Sequence, residues 1–391
     1  MSGGRRRAGV EPVLGDTSAL EEPAEAAGAD AMPGDDNGTD GRAGAQSGVS
    51  ELVTRLMDEA GIEANRDLIA NILATGVRLG GGAADRLDLK ITEAAIGELA
   101  DAFEVFAPYR DVPKVTIFGS ARTRPDAPVY AQARDAARAL ADAGWMVVTG
   151  AGPGIMAAGQ EGAGPGRSFG VNIRLPFESG ANAFIASDPK LVEMKYFFTR
   201  KVMLMKESDG FLILPGGFGT LDEGFELLTL LQTGKAQPAP IVLLDVPEDS
   251  YWGTWTRFIQ DEVTSRGLIS PEDTSLWRVT DNAQEAADEI LGFYRNYHSS
   301  RWVGDLLVLR LQAAPTKAEV SALSKRFGYL SANQRIQSSG PLPVEVRSRD
   351  HADLPRLILR FNHSSYAGLR QLIDAVNSLD SAPPQATPPG P

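Results

Sequence analysis

Between Pro215 and Glu223 the chain reads Pro-Gly-Gly-Phe-Gly-Thr-Leu-Asp-Glu, a glycine-rich loop running into a helical pattern with two acidic residues at its start. Glycine lets backbone approach a phosphate closely, and the helix N-terminus behind it supplies N–H donors and a favourable dipole. Two more glycine-bearing loops follow short apolar runs: Gly119-Ser120 after Phe118, and Gly150-Ala151-Gly152-Pro153-Gly154 after Thr149. None ends in the Gly-Lys-Ser/Thr of a P-loop, and the first lacks the dinucleotide G-x-G-x-x-G spacing. Any one such loop could equally be an ordinary turn or a ligand loop; three together point to a phosphate-bearing ligand. Arg200 and Lys201 read as cations near the end of a helix, where solvated charge is favourable. An Arg could also grip a phosphomonoester in a fork. Glu223 has two readings as well. It could be an acid–base carboxylate, or it could close a capping box with Thr220 at N-cap and Glu223 at N3. On these residues alone the cap and the solvated helix charge are the simpler readings.

The elements that must position these residues alternate as in a parallel α/β sheet. Strands are predicted at 115–118, 145–149, 169–173, 211–214 and 241–244. Helices are predicted at 129–143, from 155 to 161, from Asp188-Pro189 to about Glu207, over 220–232, near 252–266 and over 283–294. The fold class expected is α/β, a Rossmann-like doubly wound parallel sheet, spanning 111–298. In such a sheet the loops gather at the carboxyl edge, beside the switch point where ligands bind. Ahead of it, Leu52, Leu56, Met57, Ile62, Leu68, Ile69, Ile72 and Leu73 fit amphipathic helices broken near Gly61, and another helix covers 92–106. This makes 49–110 a helical N-terminal extension. Behind the sheet, 302–378 reads as a small α+β appendage in β-α-β-β-α order. Its strands are expected at 305–311, 342–346 and 356–361. Residues 1–48 and 379–391 have the composition of disordered tails.

The totals exclude several classes. The chain has 391 residues, 43% hydrophobic, with 38 basic and 51 acidic side chains and a net charge of −13. That sign argues against general nucleic-acid or anionic-membrane binding. With no cysteine, disulfides, thiolate catalysis and zinc–cysteine sites are ruled out. Arg5-Arg6-Arg7 could suggest a twin-arginine export signal, but Glu11, Asp16, Glu21 and Glu22 follow rather than an apolar segment, so a disordered basic start is expected. A cytoplasmic protein without a membrane span is expected.

The run from Pro215 to Glu223 resembles the PGG-x-GT-x-x-E motif of the Lonely-Guy (LOG) family, the cytokinin riboside 5'-monophosphate phosphoribohydrolases, often labelled lysine decarboxylases. Tyr196-Phe197-Phe198-Thr199-Arg200-Lys201 is similar to that family's Arg-Lys element. Asn172-Ile173-Arg174-Leu175-Pro176-Phe177-Glu178 is similar to its longer bacterial variants. The similarity spans roughly 110 to 297. It implies hydrolysis of a nucleoside 5'-monophosphate, AMP or a cytokinin riboside 5'-monophosphate, to free base and ribose 5-phosphate. It implies Arg200 and Glu223 as the catalytic pair. It implies substrate binding by Gly119, Ser120, Gly152, Gly154, Lys201, Gly216, Gly217, Gly219 and Thr220. A carboxylate suits this chemistry, because breaking an N-glycosidic bond builds positive charge on the ribose. Gly-Ser-Ala-Arg at 119–122 departs from the serine-richer plant pattern. The resemblance also implies a homodimer or higher even-numbered oligomer.

Other residues are read more plainly. Lys195 and Lys206 are surface charges, and Met194 and Met203 are core. Glu178 and Asn182 could line a base pocket but fit turn and surface roles better. His298, His351 and His363 fall beyond the sheet and are given no chemistry. No cluster has metal-ligand spacing, no lysine is marked as a pyridoxal-phosphate site, and no cofactor is expected. The alternatives are a non-catalytic nucleotide or cofactor carrier of the same fold, and a nucleosidase for pyrimidine monophosphates.

Overall fold

The computed structural model describes residues 39–174 and 180–384. Glu178 and most of both expected tails lie outside the described residues. Two compact units separate, Thr17–Gly97 and the part from Glu98 onward. In the first, α1 (Thr39–Glu59) and α2 (Arg66–Gly80) meet at a turn where Gly61 has φ 67°. Arg66 pins that turn, pairing with Asp58 at 2.5 Å and donating to the Ile62 carbonyl. Helix α1 begins at Thr39, ahead of the boundary expected at residue 48. Propagating a formed helix needs only tolerable propensity, which Arg42, Ala43, Ala45 and Gln46 provide. Helix α3 (Arg86–Phe106) follows. Among the described residues no helix is long and apolar enough to cross a membrane.

The second unit is built on a seven-stranded sheet. In chain order its elements are β1 (Lys114–Phe118), α4 (Pro128–Asp142), β2 (Met146–Thr149), α5 (Ile155–Ala163), β3 (Ser168–Ile173) and β4 (Leu191–Met194). There follow α6 (Phe197–Lys206), β5 (Gly210–Ile213), α7 (Phe218–Gln232), β6 (Ile241–Leu244), α8 (Tyr251–Phe258), β7 (Trp277–Thr280) and α9 (Ala283–Gly292). The strand order is β4-β3-β2-β1-β5-β6-β7, and every pairing is parallel. This is the expected Rossmann-like doubly wound sheet, with its order reversing at β1. Alternation along each strand sends side chains to two apolar layers, as a sheet covered on both faces requires. Val115, Ile117, Leu212 and Val242 face α4, α5 and α9 through Ala136, Leu140, Ala158 and Ile290. Phe118, Val148, Phe211 and Leu243 share the other layer with Phe106, Met203, Leu227 and Leu231.

Residues 188–207 depart from the single helix expected there. Asp188 accepts from the Lys190 backbone N–H at 2.9 Å and from its ammonium at 2.7 Å, closing a turn. Val192 and Met194 then alternate inward as the edge strand β4, and the helix starts only at Phe197. Pro189 therefore sits in a turn and does not open the helix. Strand β7, also unforeseen, is short, with only Trp277 buried.

The C-terminal module begins at Tyr297, earlier than the 302 expected. It comprises β8 (Tyr297–Val303), β9 (Leu306–Leu311), α10 (Lys317–Phe327), β10 (Gln337–Ser339), α11 (Pro343–Ser348), β11 (Arg356–Leu359) and α12 (Tyr366–Asn377). Its antiparallel sheet runs β10-β11-β9-β8. The strand expected at 342–346 is instead the start of helix α11. Pro343 suits the first helical turn, and Glu345 turns inward with no exposed surface. Its carboxylate accepts from Arg310 Nε at 3.0 Å and Nη2 at 2.7 Å, from Arg356 Nε at 2.9 Å and from the Leu342 N–H at 3.1 Å. Asp350 pairs with Arg310 and Arg301 beside it. The expected C-terminal tail also starts later than 379. Arg295 Nε donates to the Pro383 carbonyl at 2.6 Å, and the Ser381 N–H donates to Glu319 at 3.1 Å, so 379–384 pack on the body.

Burial alone would push the Glu345 carboxyl up, but the Arg356 and Arg310 guanidiniums and the Leu342 N–H outweigh it and hold it below its ordinary value. A depressed carboxylate stabilises the fold above its unfolded value, and that stability is lost as pH falls through the folded one. Glu345→Gln, which leaves two arginines buried and under-compensated, should cost about 3–5 kcal/mol near neutral pH. Denaturant midpoints for both proteins from neutral to acidic pH should show that gap shrinking in acid.

Candidate functional site

The reversal of strand order at β1 places the loops after β1, β2 and β5 side by side at the carboxyl edge. Hydrogen bonds stitch them together. Leu214 N–H donates to the Phe118 carbonyl at 2.9 Å, Ser120 N–H to Pro215 at 3.2 Å, and Ile155 N–H to Ser120 at 3.1 Å. Ser120 Oγ accepts from the Arg122 N–H at 3.1 Å. Gly154 has φ 68°, and a Cβ there would fall 2.3 Å from the Ser120 carbonyl oxygen, so both its conformation and its contact demand glycine. Ala151 adopts φ 62° without being glycine, a placement that costs energy and tends to mark ligand sites. Its neighbours hold it there. Its N–H donates to Thr149 Oγ1 at 3.0 Å, and its carbonyl accepts from the Asn182 N–H at 2.8 Å and Nδ2 at 2.9 Å. Asn182 Nδ2 also reaches Gly152 O at 2.8 Å and Gln160 Oε1 at 2.6 Å. Asn182 is thus a strut for the second loop.

Arg200 and Lys201 lie in the first half of α6, not near its end. A cation toward a helix N-terminus opposes the dipole, so both need other partners. Arg200 turns to the sheet. Its Nε donates to the Val171 carbonyl at 2.9 Å and its Nη2 to Gly150 at 3.2 Å, so the guanidinium lies across the ends of β2 and β3. A Cβ on Gly150 would lie 1.9 Å from that Nη2, so this guanidinium position requires glycine. Lys201, about 100° further round the helix, turns to α7. Its Nζ is 2.6 Å from Glu226, 2.8 Å from Asp222 and 3.5 Å from Glu223, and its side chain is 13% exposed.

Helix α7 starts at Phe218 with Gly217 as its N-cap. Thr220 is therefore inside the first turn, where its N–H donates to Gly217, and the capping box expected of Thr220 and Glu223 does not form. The reason is local: Gly217 takes an extended conformation that lets the helix begin two residues earlier. Glu223 falls in the second turn and is 6% exposed, with Oε2 buried and accepting no hydrogen bond. Burial raises its carboxyl above the ordinary 4.5; Lys201 and Arg200 oppose the rise, while Asp222 and Glu226 add to it. Gly217, Phe218 and Gly219 are exposed, Gly216 is half-buried, and Tyr251 donates its hydroxyl proton to the Gly216 carbonyl at 2.6 Å.

The structure thus gathers Gly119, Ser120, Gly152, Gly154, Gly216, Gly217, Gly219 and Thr220 onto adjoining loops, with Arg200 and Glu223 on the helices beside them. Lys201 is held instead among the carboxylates of α7. Three contributors were not foreseen. Tyr251 comes from α8. Asn182 was read as a turn or surface residue, or else as lining a base pocket, and not as a brace for the second loop. Glu98, from α3, accepts from Thr199 Oγ1 at 2.6 Å and from the Lys195 N–H at 3.0 Å, and so holds the chain that enters α6. A glutamate within a helical pattern gives no local sign of a partner a hundred residues away.

Residues 146–290 match the model of a family described as "Possible lysine decarboxylase". A probable cytokinin riboside 5'-monophosphate phosphoribohydrolase of Oryza sativa subsp. japonica is 38% identical over 99 residues, covering 25% of this chain and 44% of that protein. A cytokinin riboside 5'-monophosphate phosphoribohydrolase of Arabidopsis thaliana is 43% identical over 72 residues, 18% of this chain and 32% of that protein. These matches span less than half of the plant proteins' length. Among solved structures, the molybdenum cofactor binding protein of the phototrophic bacterium Rippkaea orientalis aligns with a TM-score of 0.33 at 17% identity, over 44% of this chain and 91% of that one. The resemblance carried by Pro215 to Glu223 therefore extends to the segment around it: residues 146–290 match that family model, and the plant proteins similar to this segment are cytokinin riboside 5'-monophosphate phosphoribohydrolases.

Proposed function

We propose that this domain hydrolyses the N-glycosidic bond of a nucleoside 5'-monophosphate, AMP or a cytokinin riboside 5'-monophosphate, releasing base and ribose 5-phosphate. The observation that carries the reading is Glu223, a buried carboxylate with an oxygen free of hydrogen bonds, set beside Arg200 at the switch point. The loop backbones at 119–120, 152–154 and 216–219, with the first turn of α7, take the phosphate, as helix N-termini do. Arg200 orients the ribose phosphate from the ends of β2 and β3. As the bond to the base breaks, positive charge grows on the ribose, and the Glu223 carboxylate stabilises it and takes a proton from the attacking water. That water oxygen bonds to the anomeric carbon, and the departing base leaves with the bonding electron pair and receives the proton that Glu223 took from the water, which returns Glu223 to its ionised form. A cytoplasmic location goes with this reading, since nucleoside monophosphates are intracellular metabolites. So does a homodimer or higher even-numbered oligomer, which would cover Phe197, Phe198, Val202 and Phe218, all exposed on α6 and α7. Light scattering at micromolar concentration checks that; a monomer alone would reject it.

Incubating the protein with a panel of nucleoside 5'-monophosphates and the matching nucleosides, and reading released base by chromatography, tests the activity. AMP should be cleaved and adenosine poorly; equal turnover of both would sink the phosphate role of the loops. Binding of nucleotide with no release of any base would favour a carrier. Release from pyrimidine monophosphates only would move the substrate class.

Glu223→Gln should lower turnover by about 10²–10⁴-fold with nucleotide affinity nearly unchanged, because the amide keeps the shape and loses the charge. Arg200→Ala should also weaken binding, by about ten- to a hundredfold. Calorimetric affinities beside turnover numbers separate the two.

Acid should switch the enzyme off above the ordinary glutamate range, since burial raises the Glu223 carboxyl and the base form is the ionised one. Stability runs the other way. A carboxyl raised on folding stabilises the protein fully below its unfolded value of 4.5 and loses that contribution as pH rises through the folded one. Glu223→Gln should therefore melt at or above the wild-type temperature at neutral pH, with the difference closing in acid.

A further inference from the structure

Lys201 follows Arg200 in sequence, and the simplest expectation is a second cation for the phosphate. The geometry argues otherwise. Its ammonium is ringed by three carboxylates of α7, Glu226 at 2.6 Å, Asp222 at 2.8 Å and Glu223 at 3.5 Å. Its side chain is 13% exposed, so little of it is left to meet a ligand. A phosphate close enough to touch Nζ would also meet Asp222 and Glu226, whose like charge would repel it. The two cations of α6 are thus divided by helical phase, Arg200 to the strand ends and Lys201 to α7.

We propose that Lys201 is a positioning residue that contacts no substrate: it ties α6 to α7 and keeps Glu223 ionised in its buried place. The inference rests on the hydrolase reading for its catalytic consequence, but not for its effect on Glu223. The charges acting on Glu223 are Lys201 and Arg200 from α6, which favour the carboxylate, and Asp222 and Glu226 from α7, which disfavour it. Asp222 and Glu226 also draw on the same ammonium. Glu223 therefore receives a share of Lys201, set by its two neighbours. Removing the cation and removing the neighbours should move Glu223 in opposite directions, a response that packing alone would not produce.

The test uses the full chain with carbon-13 in its glutamate carboxyls, titrated by NMR, with Glu223→Gln identifying the Glu223 signal. Lys201→Met should raise the Glu223 midpoint by roughly one to three pH units, the range for losing an adjacent opposite charge. Lys201→Arg should hold it near wild type. Asp222→Asn combined with Glu226→Gln should lower it, and this variant decides the matter if Lys201→Met does not fold. In AMP hydrolysis, Lys201→Met should shift the acid limb upward by the same interval and cut kcat near neutral pH by about tenfold or more, with KM changed less than about threefold. An unmoved Glu223 midpoint in these variants would overturn the proposal. So would a KM raised ten- to a hundredfold with the acid limb in place, which would return Lys201 to the phosphate. A wild-type protein that releases no base would defeat the hydrolase reading, and the NMR titration would still judge Lys201.

Discussion

A carboxylate buried as deeply as Glu223 cannot stay charged without cations close by, because burial penalises the ionised form. Much of the site follows from meeting that need. The cation must come from a helix packed beside α7, and α6 supplies it as Lys201. Once Lys201 faces α7, the helical phase sends Arg200 to the ends of β2 and β3. There the guanidinium needs acceptors, which are the carbonyls of Val171 and Gly150. Its position forbids a side chain at 150. The loop that follows must then turn sharply, with Ala151 left-handed and Asn182 bracing its carbonyl. One buried charge thus reaches through two helices into the glycine loops.

Such an arrangement works only if α7 is fixed. Its first turn is held by Tyr251, which donates to the Gly216 carbonyl. Its far end meets the C-terminal module, where the Tyr366 ring fills the space beside Gly234 and α12 packs against the helix. Gln232 donates to Asp273 at 2.6 Å, and Arg370 of α12 pairs with Glu289 of α9 at 2.6 Å. The module that lies outside the family match in sequence is therefore part of the frame that holds the Glu223 helix. The start of α6 is fixed in the same way by Glu98 of α3, which compensates for a cation-bearing first half that the helix dipole disfavours.

The parts of this design that were legible in the sequence are those with local chemistry. Glycine loops after apolar runs gave the strand ends, and their clustering follows from the parallel sheet. What escaped depends on partners distant in the chain. Val192 and Met194 form a strand because β3 offers an edge, whereas Asp188-Pro189 suggested a helix start. Glu345 reads as part of a strand until Arg310 and Arg356 draw it inward from β9 and β11. The capping box at Thr220 was a sound local pattern, displaced because Gly217 can start the helix sooner. Glu98 carries no signal at all until α3 is laid beside α6.

The two buried glutamates show why site and scaffold differ in kind. Glu345 accepts from two arginines and a backbone N–H, and its carboxyl is held below the ordinary value, so its charge stabilises the fold. Glu223 is buried to a similar degree, yet its carboxyl is raised and one oxygen accepts nothing. It shares a single lysine with two other carboxylates. A scaffold residue left so under-compensated would be better replaced by an apolar one of similar size. The charge makes sense when something positive arrives beside it, and a ribose losing its base is such a species. Under the proposed function, the same incomplete compensation that weakens the fold at neutral pH would leave the carboxylate able to stabilise that cation.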